Sequence, residues 1–384
     1  MIFDTVAMLA NATTEETELI DRAVELLSGW LPSGWTAERA KRQIGGPYGQ
    51  TPSRADAVVD LRGSNANATF AVEAKQSFEP RDVERLLPGL SRTLRSLAGN
   101  VPLLLVATWL STRTQVLLRE EGINYIDLTG NAWIRLDYPA VFVRNIGATR
   151  NPEPREREVA RVRGPKAGRL VRTLIDVGPP YGVRELAEAT KLAPGYVSRL
   201  LDALDRDALV DRTRKGEAIA VDYPALLRRW VETYDVLKSN ETRRFIAADG
   251  ARKAIERLRN IGSNSRSAVT GSFAAVRWAP VAAPALLLVY VEDVSKMAEE
   301  LNLLPTDEGA NVVLLRPFDP VVWVRTVTDD DVTYVAPSQA AADCLTGTGR
   351  MPAEGDALVK WMTENEDRWR RGALRDLAES DWSS

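Results

Sequence analysis

The chain reads as a multidomain α/β protein, and three observations carry that reading. Its 384 residues exceed what one hydrophobic core ordinarily organises. Helical apolar periodicity alternates with short runs of β-formers in both its first and last thirds. Between them, Gly182 to Leu204 reads as two short helices joined by a tight turn, with a basic hairpin behind it. Composition is ordinary for a globular chain, at 45% apolar and 27% charged with a net charge of -3, so any case for a polyanionic partner rests on local charge.

The first domain spans residues 1–145. Residues 14–30 place apolar side chains at 19, 20, 23, 26 and 27, one face of a helix, with Thr13 or Thr14 positioned to cap it. Residues 57–61 and 69–74 are apolar runs around a polar, glycine-containing turn, which predicts a hairpin. A helix over 81–97 follows, then Val101 to Ala107 as a strand buried on both faces. A helix over 111–120, a strand over 123–127 and strands near 132–136 and 140–143 complete the domain.

Residues 146–164 form a linker. From Arg144 to Arg172 nine basic residues face three glutamates, which suits either a solvated connection or a segment lying near phosphates. Residues 165–222 then have the layout of a winged helix-turn-helix. Leu170, Leu174 and Ile175 mark its first helix, and Val183, Leu186 and Ala187 the second. Pro194 opens the third, where its missing N–H costs nothing. That helix turns Val197, Leu200, Leu201 and Leu204 inward, leaving Tyr196, Ser198 and Arg199 at the end that would enter a major groove. Arg212, Arg214 and Lys215 surround Gly216 in the wing, suited to backbone phosphates or a minor groove. The acids Asp202, Asp205, Asp207 and Glu217 also permit a purely protein-packing role.

Residues 223–384 hold a helical connector, Pro224 to Asn260, and a second α/β domain. Strand-like runs lie at 285–292, 311–316 and 320–326, and a charged helical tail starts near 353.

Residue usage restricts the chemistry. There is no histidine and one cysteine, Cys344, which excludes imidazole catalysis, thiolate zinc sites and intrachain disulfides. The start lacks an export signal and no apolar run is long enough to span a bilayer, so the expected location is cytoplasmic. Hydrolysis in such a chain needs carboxylates, lysine and an oxygen-seeking metal. Asp56, at the start of the first hairpin strand, and Glu73 with Lys75 on the second supply that set. Residues i and i+2 of a strand share a face, so Glu73 and Lys75 converge. Asp56 and Glu73 are the candidate ligands for Mg²⁺ or Mn²⁺, Asp60 is an alternative to Asp56, and Glu25 or Glu18 is a candidate further acid. Gln76 and Ser77 would continue the edge of the site. Asp127, in Asp127-Leu-Thr-Gly-Asn131, belongs either to a structural turn or to the rim of that pocket.

The Asp56, Glu73-Ala-Lys75 arrangement and the order of elements around it resemble the PD-(D/E)XK nuclease superfamily, implying a restriction-endonuclease-like domain; Ala55 stands where that pattern favours proline. Val269-Thr-Gly-Ser272 resembles the Gly-Ser segment of minimal nucleotidyltransferases. The absence of acids over 274–284 implies a noncatalytic, nucleotidyltransferase-like C-terminal domain. The Asp-x-Thr-Gly-Asn turn and Leu345-Thr-Gly-Thr-Gly-Arg350 resemble the bacterial regulators of the type IV toxin–antitoxin (abortive-infection, AbiEi-like) antitoxin family. The resemblance implies a sequence-specific DNA-binding transcriptional regulator with an antitoxin-like role. Its expected partners are double-stranded DNA, a second copy in a homodimer, and a toxin-like protein. The alternative is a Mg²⁺- or Mn²⁺-dependent DNA endonuclease targeted by its winged helix.

Overall fold

Leu19, Ile20, Ala23 and Leu27 are buried together along helix α1 (Ile2–Trp30), as one face of an amphipathic helix requires. The helix begins ahead of Thr13 and Thr14, so neither caps it; Ala7-Met-Leu-Ala10 is strongly helix-forming and carries the helix through. The computed structural model describes residues 2–40, 56–64, 66–83, 101–149, 151–152, 162–213, 215–261 and 265–374. It divides into two compact units, Met1–Glu158 and Val159–Ser384.

The first unit is built on one seven-stranded sheet whose spatial order follows the chain. Strands β1 (Thr36–Arg39), β2 (Ala57–Arg62) and β3 (Asn67–Lys75) run antiparallel, with Ala57 opposite Val72 and Asp60 opposite Thr69. Strand β1 lies outside the sequence expectations because only Ala37 of its four residues is buried, leaving no apolar alternation to detect. Strands β4 (Leu103–Ala107) and β5 (Asn124–Asp127) add in parallel, and β4 is buried at every residue, as its continuous apolar run predicts. Helix α2 (Thr112–Glu120) crosses between them, started by Ser111, whose hydroxyl accepts the Thr114 N–H at 3.1 Å. Strands β6 (Ala132–Leu136) and β7 (Val141–Asn145) close the sheet antiparallel. Only residues 81–83 of the helix expected over 81–97 are described, and they are helical; the rest lies outside the described residues.

The pleat of β3 sorts its side chains. Phe70, Val72 and Ala74 join α1 in one core, while Ala71 packs with Leu103, Leu105 and Leu118 in another. Glu73 and Lys75 share the parity of Ala71, at the end of the strand where the apolar core stops.

The second unit begins with helices α3 (Pro165–Asp176), α4 (Val183–Thr190) and α5 (Pro194–Arg206) and the hairpin β8 (Val210–Arg212) and β9 (Ala218–Val221). Lys191 takes a left-handed conformation at the end of α4, and Pro194 opens α5 as expected. Helix α6 (Tyr223–Val231) follows, capped by Asp222.

The connector is not continuously helical. Between α6 and α7 (Ala251–Ile261) runs strand β10 (Glu241–Ile246), paired along its length with β14 (Val312–Arg316). Its single buried side chain, Phe245, made it read as the polar face of a helix. The sheet also holds β11 (Ser267–Thr270), β12 (Leu287–Val291), β13 (Leu304–Pro305), β15 (Val327–Asp329) and β16 (Val332–Tyr334). Their spatial order is β13-β10-β14-β12-β11-β16-β15. Residues 320–323 form a 3-10 turn rather than part of a strand: Pro320 lacks an N–H for a ladder, and the Asp319 carboxylate accepts the Val321 N–H at 2.9 Å. Helices α8 (Ser272–Ala275), α9 (Val294–Glu300), α10 (Pro337–Leu345), α11 (Met351–Glu364) and α12 (Glu366–Trp369) complete the unit. One hydrophobic core runs from Leu170 and Leu204 in the three-helix segment to Leu288, Leu314 and Leu358.

Candidate carboxylate–lysine cluster and nucleic-acid interface

In the first unit the strand pairing brings Asp56, Glu73 and Lys75 together. The Lys75 Nζ lies 2.7 Å from Glu73 Oε1 and 3.8 Å from Asp56 Oδ2. Asp56 is held in place because its N–H donates to the Val72 carbonyl while its Oδ2 accepts the Ala74 N–H at 2.8 Å. Glu73 is 7% exposed, and its second carboxylate oxygen, Oε2, is buried with no hydrogen-bond partner. Burial pushes the Glu73 carboxyl upward, helped by the charges of Asp56 and Glu16 and opposed by Lys75. Burial alone would lower Lys75, but its hydrogen bond to Glu73 and the charges of Glu73, Asp56 and Glu16 carry it above the ordinary lysine range.

The α1 carboxylate that acts on the cluster is Glu16. It lies on α1 near enough to act electrostatically on both Glu73 and Lys75, whereas Glu25 and Glu18 are exposed. Helical phase alone could not choose among the glutamates of α1; only the start of the helix relative to the exit of β3 does so. Asp60 does not substitute for Asp56. The register sets it opposite Thr69, towards the other end of the hairpin, where it accepts the Thr69 hydroxyl at 2.8 Å. Gln76 donates to Glu15 at 2.9 Å, and Ser77 is exposed. Among the described residues no cluster of three or more metal-ligating side chains occurs. The cluster instead offers two carboxylates, one with an orphaned buried oxygen. That donor set fits Mg²⁺ or Mn²⁺ when water and phosphate oxygens complete the coordination.

Asp127 belongs to the turn. It is fully buried, and its Oδ1 accepts the N–H groups of Thr129 and Asn131 and the Thr129 hydroxyl at 2.7–3.0 Å. Its Oδ2 accepts the Leu110 N–H at 2.9 Å and the Asn131 amide at 2.8 Å. Asn131 reaches on to the Ala148 carbonyl and accepts the Gly147 N–H. A Cβ on Gly147 would stand 2.3 Å from the Thr129 carbonyl oxygen, so the segment after β7 closes against this turn only as glycine.

In the second unit, Val197, Leu200, Leu201 and Leu204 are buried while Arg199 is exposed and, among the described residues, forms no ion pair. Ser198 is partly exposed beside it. Tyr196 faces outward only in part: its ring packs against the core, and burial raises its hydroxyl above the usual tyrosine range. Lys215 is exposed at the tip of the hairpin, and Arg214 lies outside the described residues. Arg212 is turned inward. It ion-pairs with Asp202 and donates from Nε and Nη2 to the Gly216 carbonyl at 3.1 and 2.9 Å, which ties the hairpin to α5. Two basic residues of the Arg144–Arg172 stretch are likewise internal. Arg169 grips Asp319 and the Thr190 carbonyl, and Arg172 is fully buried.

Arg172 starts a buried polar network joining the three-helix segment to the second sheet. It donates to Asp176 at 2.8 Å and to Gln339 at 2.6 Å, and Gln339 donates to Asp343 at 2.8 Å. Asp343 also accepts the hydroxyls of Tyr234, Tyr290 and Thr270. Burial raises its carboxyl to about 6 against the pull of those hydrogen bonds. Nearby, Gly271 takes φ +64 between β11 and α8, as a strand-Gly-Ser-helix turn requires. The turn is covered: Ser272 donates to Glu354 at 2.5 Å, and Met351 Cε lies 2.9 Å from where a Cβ on Gly271 would sit.

Residues 220–357 match the family model described as a transcriptional regulator, AbiEi antitoxin, of the type IV toxin–antitoxin system. The match runs from the end of the hairpin through the second sheet into α11. No curated protein and no solved structure matches the chain. No helix among the described residues is long and apolar enough to cross a membrane.

Proposed function

We propose that the protein is a sequence-specific DNA-binding transcriptional regulator of the type IV antitoxin kind, acting as a homodimer on duplex DNA. The observation that carries this reading is the outward face of α5, with Arg199 exposed and in no ion pair among the described residues, and Ser198 beside it. That helix shares a core with the region matching the antitoxin regulators. Helices α3 to α5 and the β8–β9 hairpin serve as a winged helix-turn-helix, with α5 entering the major groove and Lys215 on the backbone. Tyr196, on α5, packs its ring against the core and presents an edge of it outward, while Arg212 holds the wing.

Arg199→Ala should cost about 1–3 kcal/mol of binding to the preferred duplex, and little on random duplex. Lys215→Ala should weaken both alike and reduce the salt slope by about one. Fluorescence anisotropy on a duplex selected from a random library measures both. No affinity for any duplex at low salt would overturn the reading. An antitoxin role further implies a toxin-like protein partner, and association measured against the product of a neighbouring toxin gene tests it. The region around Gly271 supports a nucleotidyltransferase-like but noncatalytic domain, since Ser272 is spent on Glu354.

A second reading, a Mg²⁺- or Mn²⁺-dependent DNA endonuclease, is favoured by the orphaned Glu73 Oε2 beside Asp56 and Lys75. The order helix, hairpin, buried parallel strand, helix, parallel strand supports a restriction-endonuclease-like first unit. Asp56 and Glu73 would hold the ion, which would polarise a phosphodiester. Lys75 would neutralise charge on the attacked phosphate. Regulation ranks first because Lys75 already forms an ion pair with both carboxylates. Supercoiled DNA incubated with the protein and millimolar Mg²⁺ or Mn²⁺ is therefore expected to be bound and not nicked. Metal-dependent nicking that Lys75→Ala abolishes would reverse the order of the two readings.

A further inference from the structure

The first sheet ends in a checkerboard of rings and guanidinium groups. Strand β7 is last in the sheet order and, among the described residues, pairs with β6 alone. The register sets Trp133 opposite Arg144 and Arg135 opposite Phe142. Directly opposed residues share a face, as do residues two apart along a strand, so all four side chains stand on one side of the hairpin. The pleat gives the other side to Ala132, Ile134 and Leu136, which are buried, with Val141 and Val143 packed against their core.

Trp133 is anchored beside Leu117 at the margin of the core around Leu105 and Leu118. Beyond it the face is open. Arg135, Phe142 and Arg144 are exposed, Phe142 at 64%, and Tyr138 at the hairpin tip is 93% exposed. None of these three rings meets another ring or a cation among the described residues. Arg144 forms no ion pair among the described residues, and Arg135 has only a solvated 3.8 Å approach to Asp137. Burial raises the hydroxyl of Tyr125, directly across from Trp133, and the charges of Arg119 and Arg144 oppose that rise. The acid acting there is Asp127, whose oxygens the turn already occupies. The exposed acids Glu120, Glu121 and Asp137 lie beyond the paired strands, at the end of α2 and in the hairpin turn.

Trp133 and Phe142 are diagonal neighbours, about 7–8 Å apart. That is twice or more the roughly 3.4 Å advance per nucleotide of a stacked strand. A duplex keeps its bases stacked and paired, so it cannot seat one base on each ring; a single strand with splayed bases can. An apolar protein surface laid here would instead bury two arginines without partners. We propose that this face of the β6–β7 hairpin binds single-stranded nucleic acid, with Trp133 and Phe142 each stacking a base and Arg135 and Arg144 holding the phosphates between them. The site lies in the first unit, goes beyond the duplex reading of α5 and does not rest on it. A DNA or an RNA strand supplies the same chemistry.

The test measures fluorescence anisotropy of labelled oligothymidylate and oligouridylate with the full chain, each about twelve nucleotides long, within the usual span of such sites. At least one should bind, and the tighter of the two identifies the natural strand. Phe142→Ala should weaken that binding by about fivefold or more, and Phe142→Trp should retain it. Arg144→Ala should reduce the salt slope by about 0.7. Duplex binding should be unchanged in all three variants. A parent that binds the single strand and no duplex would sink the regulator reading alone. No binding of either strand at low salt, an affinity indifferent to Phe142→Ala, or an equal loss on duplex DNA would overturn the proposal. So would a homodimer that Phe142→Ala dissociates, since the face would then belong to a second copy.

Discussion

Asp127→Ala is expected to destabilise the first unit by roughly 3–5 kcal/mol, because it strands several buried donors at once. The carboxylate accepts the backbone N–H groups of Leu110, Thr129 and Asn131 in a site closed to solvent. Each amide left without an acceptor costs about 1–3 kcal/mol. Because Leu110 leads into α2 and Asn131 opens β6, the loss should spread to both elements. Hydrogen exchange at the amides of Leu110 and Asn131 should accelerate by orders of magnitude, and the first unfolding transition in urea should move to lower denaturant. Asp127→Asn keeps the volume and one acceptor and should fall between the parent and the alanine variant. Unaltered exchange in Asp127→Ala would show that the turn does not depend on this carboxylate.

Arg172→Met should cost the second unit about 3–5 kcal/mol, the range for removing one partner of a buried ion pair. Methionine fills much of the space but leaves Asp176 without its closest cation, since Arg325 stands 3.9 Å from the other carboxylate oxygen. It also frees the Gln339 carbonyl that Arg172 now satisfies. The thermal midpoint of the second unit should fall by several degrees, with amide exchange in α10 accelerating alongside that in α3. Exchange that rises in α3 alone would show that the two helices are not linked through this side chain.

The elements that were legible in the sequence are those with strong local patterns. Residues 57–62 and 67–75 alternate or run apolar, Leu103–Ala107 is continuously apolar, Pro194 opens the third helix of the three-helix segment and Gly216 marks the turn of its hairpin. Strands β1 and β10 were hidden because their stability comes from neighbours: one or two buried side chains and a backbone ladder suffice at or near a sheet edge. Helix α10, buried along Pro337 to Cys344, carries Ser338, Gln339 and Asp343 inside the protein, so its sequence lacks the apolar and polar faces that mark a surface helix. At the carboxylate–lysine cluster, strand parity was enough to pair Glu73 with Lys75. Glu16 required knowing where α1 lies against the strand exit, and the inward turn of Arg212 required knowing that Asp202 and the Gly216 carbonyl would be waiting for it.

The shared core of the second unit restricts how a signal could travel. Tyr234, Gln339 and Asp343 form one buried lattice with Arg172, and among the described residues no linker or hinge separates helices α3 to α5 from the sheet. A ligand held on the second sheet could not swing α5 relative to it, as a flexibly tethered domain would allow. Any influence on operator affinity would have to act through obstruction or electric field at the DNA, or by changing how two copies associate. Reciprocity then demands that operator DNA alter that ligand's affinity by the same factor. The second unit is built as a single lever arm without a joint among its described residues, and its switch, where one exists, lies in what binds beside it.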